Sequence, residues 1–349
     1  MRPFFSFMQL GFIVFITFCS VSVIAKHPVP SATKPVQNLS IYLPSNTISD
    51  AVLQQFTQQT GVVVTTHTYP MSALTNEGFT QPKDVDIALL PYSQYPDTSA
   101  LNDHFKPIDT TKLPNIERIN PVLDTAELRP YINNSVPLLI QGIGIATNSK
   151  MLSPSLFSHW SDLHDEQWTG QLLIMDDAQT LVSIALIELG YPVNNANSQQ
   201  LQKAKQWLLD KKTNVAFFSK SQPETHFLSG QVVVGTLSND RVYRGNLENA
   251  DITLVWPMEG AVLDLFALSI MQHSHSQQAA LQLINYLLSA PIQTSLALTT
   301  GLTPSTVGQS TQSPFLQRLP SEVIAGGHFK LNSPATRLKQ QRILDEIQQ

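Results

Sequence analysis

Cysteine is nearly absent from this chain of 349 residues: the single Cys19 lies in the N-terminal apolar stretch, leaving nothing beyond it to form a disulfide. Stability must therefore come from a buried core of ordinary size, which a chain of this length can supply. Charge is sparse too. Charged residues make up 13% of the chain and the net charge is -5, with no basic face for a phosphate backbone, so nucleic acid is not an expected partner. Beyond the N-terminus no apolar run approaches membrane length. Phosphate-cradling glycine loops are missing as well, because Gly142-Ile143-Gly144 carries only half of a dinucleotide pattern and reads as a kink in a strand. There is no Walker loop, no nucleophile elbow and no His-Glu-x-x-His. The nine histidines are scattered, and the closest pair, His273 and His275, has no third ligand beside it. Neither a metal nor a cofactor is expected, and no catalytic constellation supports an enzyme.

At the N-terminus, Arg2 is followed by an apolar run from Phe4 to Phe18 and by the small-residue site Val23-Ile24-Ala25. That order predicts a signal peptide over residues 1–25, cleaved after Ala25, and hence a periplasmic protein. Thr17 and Phe18 before Cys19 do not make a lipoprotein box. Residues 26–37 (KHPVPSATKPVQ) are Pro-rich and aperiodic, a flexible leader.

Strands are predicted at Leu39–Tyr42, Val62–Tyr69, Asp86–Leu90, Val136–Asn148, Leu172–Met175, Val215–Ser219, Val232–Leu237, Ile252–Trp256 and Asp264–Met271. Helical spacing of apolar residues marks about 49–59, 178–189, 198–210, 277–288 and 335–349, with 310–327 polar and irregular. The alternation argues for an α/β protein with a mostly parallel sheet, in two parts. The stretch from His159 to Tyr191 is central: two tryptophans, a short strand, the pair Asp176-Asp177, then a helix. Asp177 can cap that helix, or face the crevice at a strand end where α/β proteins bind ligands, and both readings stay open.

Several segments together resemble the periplasmic spermidine/putrescine-binding proteins, within the extracellular solute-binding family. They are Gln54–Gly61 (QQFTQQTG), Trp160–Leu163 (WSDL), Gly170–Ala178 (GQLLIMDDA), Glu188–Tyr191 (ELGY), Asn214–Phe218 (NVAFF), Gly230–Val232 (GQV), Val255–Gly260 (VWPMEG) and Leu283–Leu288 (LINYLL). The resemblance implies a periplasmic-binding-protein type II-like fold: two α/β lobes with a hinge and a ligand cleft between them. Lobe 1 would hold 38–141 and 265–307, and lobe 2 would hold 142–264 and 308–349. The crossovers would lie near Gln141–Gly144, Leu263–Leu265 and after Pro304.

The same resemblance implies a small cationic solute and delivery to an inner-membrane ABC permease, or signalling to a membrane receptor, by a monomer. Polyamine-binding relatives hold their polycation with carboxylates and aromatic walls, which suits ammonium groups on a methylene chain. Here Asp177 keeps the acidic position at the central strand end, while Thr180 replaces the second acid one turn on. Ser45 retains only the hydroxyl of the first-loop pattern, Ser238 replaces a tryptophan, and Asp264 and Phe266 exchange the order of an aromatic and an acid. Leu302 stands where a tyrosine is usual. Asp177 and Asp264 are the expected ammonium partners, with Phe266, Tyr92 and Tyr243 as walls. Alternatively the pocket is refitted for another small polar solute.

Overall fold

The helix that opens the fold shows how directly its sequence is written. Ser49 Oγ accepts from Val52 N, Val52, Leu53 and Phe56 are buried, and Gly61 closes the helix Asp50–Thr60 in a left-handed conformation at φ +77°. The structure, a computed structural model, describes residues 37–70, 84–194, 196–308 and 313–349. The predicted signal peptide and the leader up to residue 36 lie outside the described residues, as do 310–312 of the irregular stretch. All described residues belong to the unit Val36–Gln349, and none of their helices is long and apolar enough to cross a membrane.

Eleven described strands form one sheet: β1 (Gln37–Pro44), β2 (Val62–Tyr69), β3 (Ile87–Pro91), β4 (Val136–Asn148), β5 (Leu172–Met175), β6 (Val215–Ser219), β7 (Val234–Ser238), β8 (Ile252–Val255), β9 (Val262–Ile270), β10 (Thr303–Pro304) and β11 (His328–Phe329). Their order is β2-β1-β3-β9-β4-β7-β5-β6, with β8 and β10 added on β4 and β11 on β9. β1 runs parallel to β2 and β3, and β5 parallel to β6 and β7. The sheet as a whole is mixed, not mostly parallel. The two long strands β4 and β9 are antiparallel to each other, β9 to β3, and β4 to β7 and β8.

β4 pairs with β9 from Val136↔Leu268 to Ile143↔Val262, and at Ile143 it passes to β7 through Ile143↔Ser238. The expected kink at the two glycines does not occur: the irregularity of β4 lies between Pro137 and Leu139, and the ladder runs on past Gly142 and Gly144. Those glycines serve close approach instead. A Cβ on Gly142 would meet the Leu319 side chain at 2.5 Å, and one on Gly144 would meet the Val255 carbonyl oxygen at 2.7 Å.

The core is divided as the strands are. Along β9, Phe266, Leu268 and Ile270 face one apolar cluster with Ile41, Phe56 and Ile284, while Leu263, Leu265 and Ala267 face another with Leu90, Tyr92 and Ile140. Beyond the hand-over, Ile143 and Ile145 join Leu172, Val182 and Val234, and Ala146 joins Leu173, Leu237 and Val242. Each half of the sheet is thus covered on both faces. Leu319, Ile324 and Phe329 pack with the first half, and the chain then crosses: Ile343, Leu344 and Ile347 of the last helix, Pro334–Gln348, pack with the second. That helix, expected to be polar, also buries Arg337 and Gln340.

Candidate functional site

Asp177 follows β5 and is the N-cap of the helix Ala178–Glu188: its side chain accepts from Gln179 N at 3.0 Å and from Thr180 Oγ1 at 2.6 Å. It is also 30% exposed, toward a cavity between the two halves. The capping role and the crevice-facing position therefore coincide in one residue. Asp264 comes from β9, opposite Gln141 in the ladder, and is buried; it accepts from Ser93 N at 3.2 Å and from the Ser93 hydroxyl. Ser93 sits in the turn after β3.

Between these two acids lies Lys330. It follows β11, its backbone N donates to Leu263 O at 2.9 Å, and its side chain is 4% exposed. Nζ is 2.8 Å from Asp177 Oδ2, 3.5 Å from Asp264 Oδ2 and 3.4 Å from Thr180 Oγ1. The electrostatics follow from this geometry. Burial pushes the Asp177 carboxyl up, but the Lys330 ammonium and the hydrogen bonds from Lys330 and Thr180 outweigh it, and its pKa ends below the ordinary carboxylate value. For Asp264 burial wins over Lys330 and Ser93, so its pKa ends raised. Burial would lower Lys330, yet the two carboxylates hold its ammonium more tightly than water does, and its pKa rises.

The cavity measures about 190 Å³. Pro91, Ser93, Gln94 and Phe266 line it from the first half, and Met175 to Gln179, Ser219 and Lys220 from the second. The start of the helix Asn239–Leu247 adds Ser238, Asp240 and Arg241, and the last helix adds Gln341 and Gln348. Asp240 accepts from Gln141 Nε2 at 2.9 Å and lies 3.9 Å from Arg241, whose guanidinium is 3.5 Å from Glu224. Gln348 Nε2 donates to Asp176 at 2.9 Å. The Ser238 hydroxyl is buried and has no hydrogen-bond partner among the described residues. Among the described residues, no group of three or more His, Cys, Asp or Glu could hold a metal ion.

Of the residues singled out from sequence, Asp177, Asp264, Ser238 and Phe266 line this cavity, and Thr180 bonds to Asp177 behind it. Three others stand elsewhere. Tyr92 is part of the first half's core, its hydroxyl 2.7 Å from Ser135 Oγ and its ring stacked on Tyr131. Tyr243 points the other way along its helix, donating to Leu298 O at 2.8 Å and packing on Gly301. Ser45, just past β1, donates its backbone N–H to Tyr69 O. Leu302 is core. Lys330 was not foreseen, because nothing in its neighbourhood marks a lysine for burial; the only local cue is the short run His328-Phe329 ahead of the Ser333-Pro334 helix start.

Relatives show the same architecture. The chain is 28% identical over 292 residues to the spermidine/putrescine-binding periplasmic protein of Salmonella typhimurium, covering 83% of this chain and 82% of that one. It is 29% identical over 293 residues to spermidine/putrescine-binding periplasmic protein 1 of Haemophilus influenzae, covering 81% and 79%. Among solved structures, a spermidine/putrescine ABC transporter substrate-binding protein from Streptococcus pneumoniae superposes with a TM-score of 0.74 at 21% identity, over 89% of this chain and 98% of that one. A related lipoprotein of Treponema pallidum gives 0.73 at 20% identity, over 89% and 99%. The fold is the two-lobe, type II arrangement of periplasmic binding proteins. The family model for bacterial extracellular solute-binding proteins matches residues 51–321, and to that family the chain belongs.

Proposed function

We propose that this protein is the periplasmic solute-binding component of an ABC-type uptake system, and that its two lobes close on a polyamine-like cation, the kind of solute for which its spermidine/putrescine-binding relatives are named. One observation carries the reading: Asp177, after β5, and Asp264, on the crossing strand β9, converge on a single buried ammonium group. A cleft that stabilises one such group has the negative charge and the hydrogen-bond acceptors to stabilise another beside it. The signal peptide, cleavage after Ala25 and delivery to an inner-membrane permease belong to the same reading. Lobe 1 (38–141, 265–307) and lobe 2 (142–264, 308–349) would be the closing parts, and the role needs no catalytic step.

Calorimetry and thermal shift against mono-, di- and triamines, amino acids and anions test this. An amine at a hundred times its Kd adds about 2.7 kcal/mol to stability. Asp177→Asn, which keeps a capping side chain and removes the charge, should weaken that amine by about 2–5 kcal/mol. Stabilisation by anions alone overturns the reading.

A further inference from the structure

The helix Asn239–Leu247 meets the cavity with one face and the opposite half of the molecule with another. Arg241 lines the cavity, whereas Asn239 and Tyr243, four residues apart, share a different face. Through Val242 the helix packs with the second half, beside Leu237 and Ala146. Tyr243 reaches the first half. Its hydroxyl donates to Leu298 O at 2.8 Å, in the helix Ala290–Thr300, whose Ile292 and Leu296 lie in the first half's core. Gly301, at φ +78°, admits the tyrosine, since a Cβ there would meet Tyr243 Cβ at 2.5 Å. Neither Tyr243 nor Leu298 lines the cavity.

Position makes this bond sensitive to the angle between the halves. Ile143 pairs with both Val262 and Ser238, and Ile140 with both Leu265 and Thr303, so β4 gives one edge to β9 and the other to β7 and β10. The helix starts at that second edge. Asn239 stays at the crossing itself, accepting from Gly142 N at 3.1 Å and donating to Gly301 O at 3.2 Å. Tyr243 stands one turn farther out, about 6 Å along the helix axis, so a swing that barely moves Asn239 parts the tyrosine hydroxyl from Leu298 O. The halves also meet within the cleft at this angle, where Gln179 Nε2 of the second donates to Ser93 O of the first at 3.3 Å. We propose that Tyr243 is a positioning residue for solute capture: its bond to Leu298, made outside the cavity, holds the two halves at the closed angle and so sets how tightly any solute is kept. The proposal rests on the reading of the halves as lobes that close on a solute.

Tyr243→Phe tests this, because it keeps the ring on Gly301 and removes only the donor. Beyond Cys19 the chain has no cysteine of its own, so spin labels on Gln58→Cys and Gln202→Cys, both exposed on helices of opposite halves, report the angle cleanly. The closed population is the one whose label distance matches the structure. Tyr243→Phe should lower the closed-to-open ratio of the solute-free protein by about fivefold, the worth of one net hydrogen bond. Affinities for putrescine and spermidine, measured by calorimetry, should fall by the same factor as the closed fraction, with their ratio unchanged. Unaltered distances overturn the proposal, as does a loss confined to one amine, which would put Tyr243 against the solute. A lower Tm with populations and affinities intact makes Tyr243 a packing residue and overturns it too. Redistributed distances with no response of either protein to any amine leave the lock standing and overturn the amine reading instead.

Discussion

A lysine clasped by two carboxylates binds its proton more tightly than in the unfolded chain, and the sign of the consequence is fixed. Lys330 contributes stability that is fully present below the unfolded lysine value of about 10.4 and is lost as pH rises toward its raised folded value. Tm should therefore fall more steeply above about pH 10.4 in the wild type than in Lys330→Gln; parallel curves would show that the clasp does not hold the proton. Asp177 behaves oppositely. Its lowered value gives stability present above about pH 3.9 and lost as pH falls through the folded value. His164 is a second titrating residue, away from the cleft. Burial, aided by Lys211, lowers its pKa to about 4; its ring meets Trp207 edge-on, and neither ring nitrogen has a hydrogen-bond partner among the described residues. Between about pH 6.5 and 4 the unfolded chain takes up a proton that the folded chain refuses, so stability drops by up to about 3 kcal/mol on acidification. His164→Phe should flatten that limb of a urea-melting series run from pH 7 to 4.

At the scale of elements, the two glycines of β4 separate packing from conformation. Neither has a positive φ, so what each excludes is a neighbour. The atom that would meet a Cβ on Gly144 is the fixed carbonyl oxygen of Val255, whereas on Gly142 it is the tip of Leu319, which can rotate. Gly144→Ala should cost about 1–3 kcal/mol by urea denaturation and Gly142→Ala distinctly less. Equal losses would mean that Leu319 is as rigid as the sheet. β2, β4 and β5 were legible to the residue: the β-branched run of β2 stops at Pro70, the apolar run of β5 stops at Asp176, and β4 is apolar from Val136 and turns polar at Thr147-Asn148. The helices Asn239–Leu247 and Ala290–Thr300 were not. The first opens on Asn239-Asp240-Arg241, which reads as a loop, and the second distributes its apolar residues around the whole barrel of the helix, so no stripe stands out. Asp177 and Asp264 were legible from strand ends and resemblance. Their lysine was not, since it lies 153 residues from Asp177 in the chain and lysine is ordinarily a surface residue.

For the molecule as a whole, the crossing by β4 and β9 determines what can move. The two strands traverse the junction side by side, hydrogen-bonded to each other from Val136↔Leu268 to Ile143↔Val262, so two of the crossings form a ribbon, and the third is the segment between Phe329 and the last helix. A ribbon flexes across its width and resists sliding along its length. A swing of one half on the other should bend that ribbon near the hand-over, where Gln141 and Asp264 face each other in the ladder. Asp264 is an axle: it and its partner Ser93 should keep their contact whatever the angle. Asp177 is out on the swinging arm. A crystal form captured at a wider angle should preserve the Ser93–Asp264 bond and part Asp177 from Lys330, and the reverse pattern would place the axle elsewhere. A guest drawn in by such a device is met by one acid that waits and one that arrives.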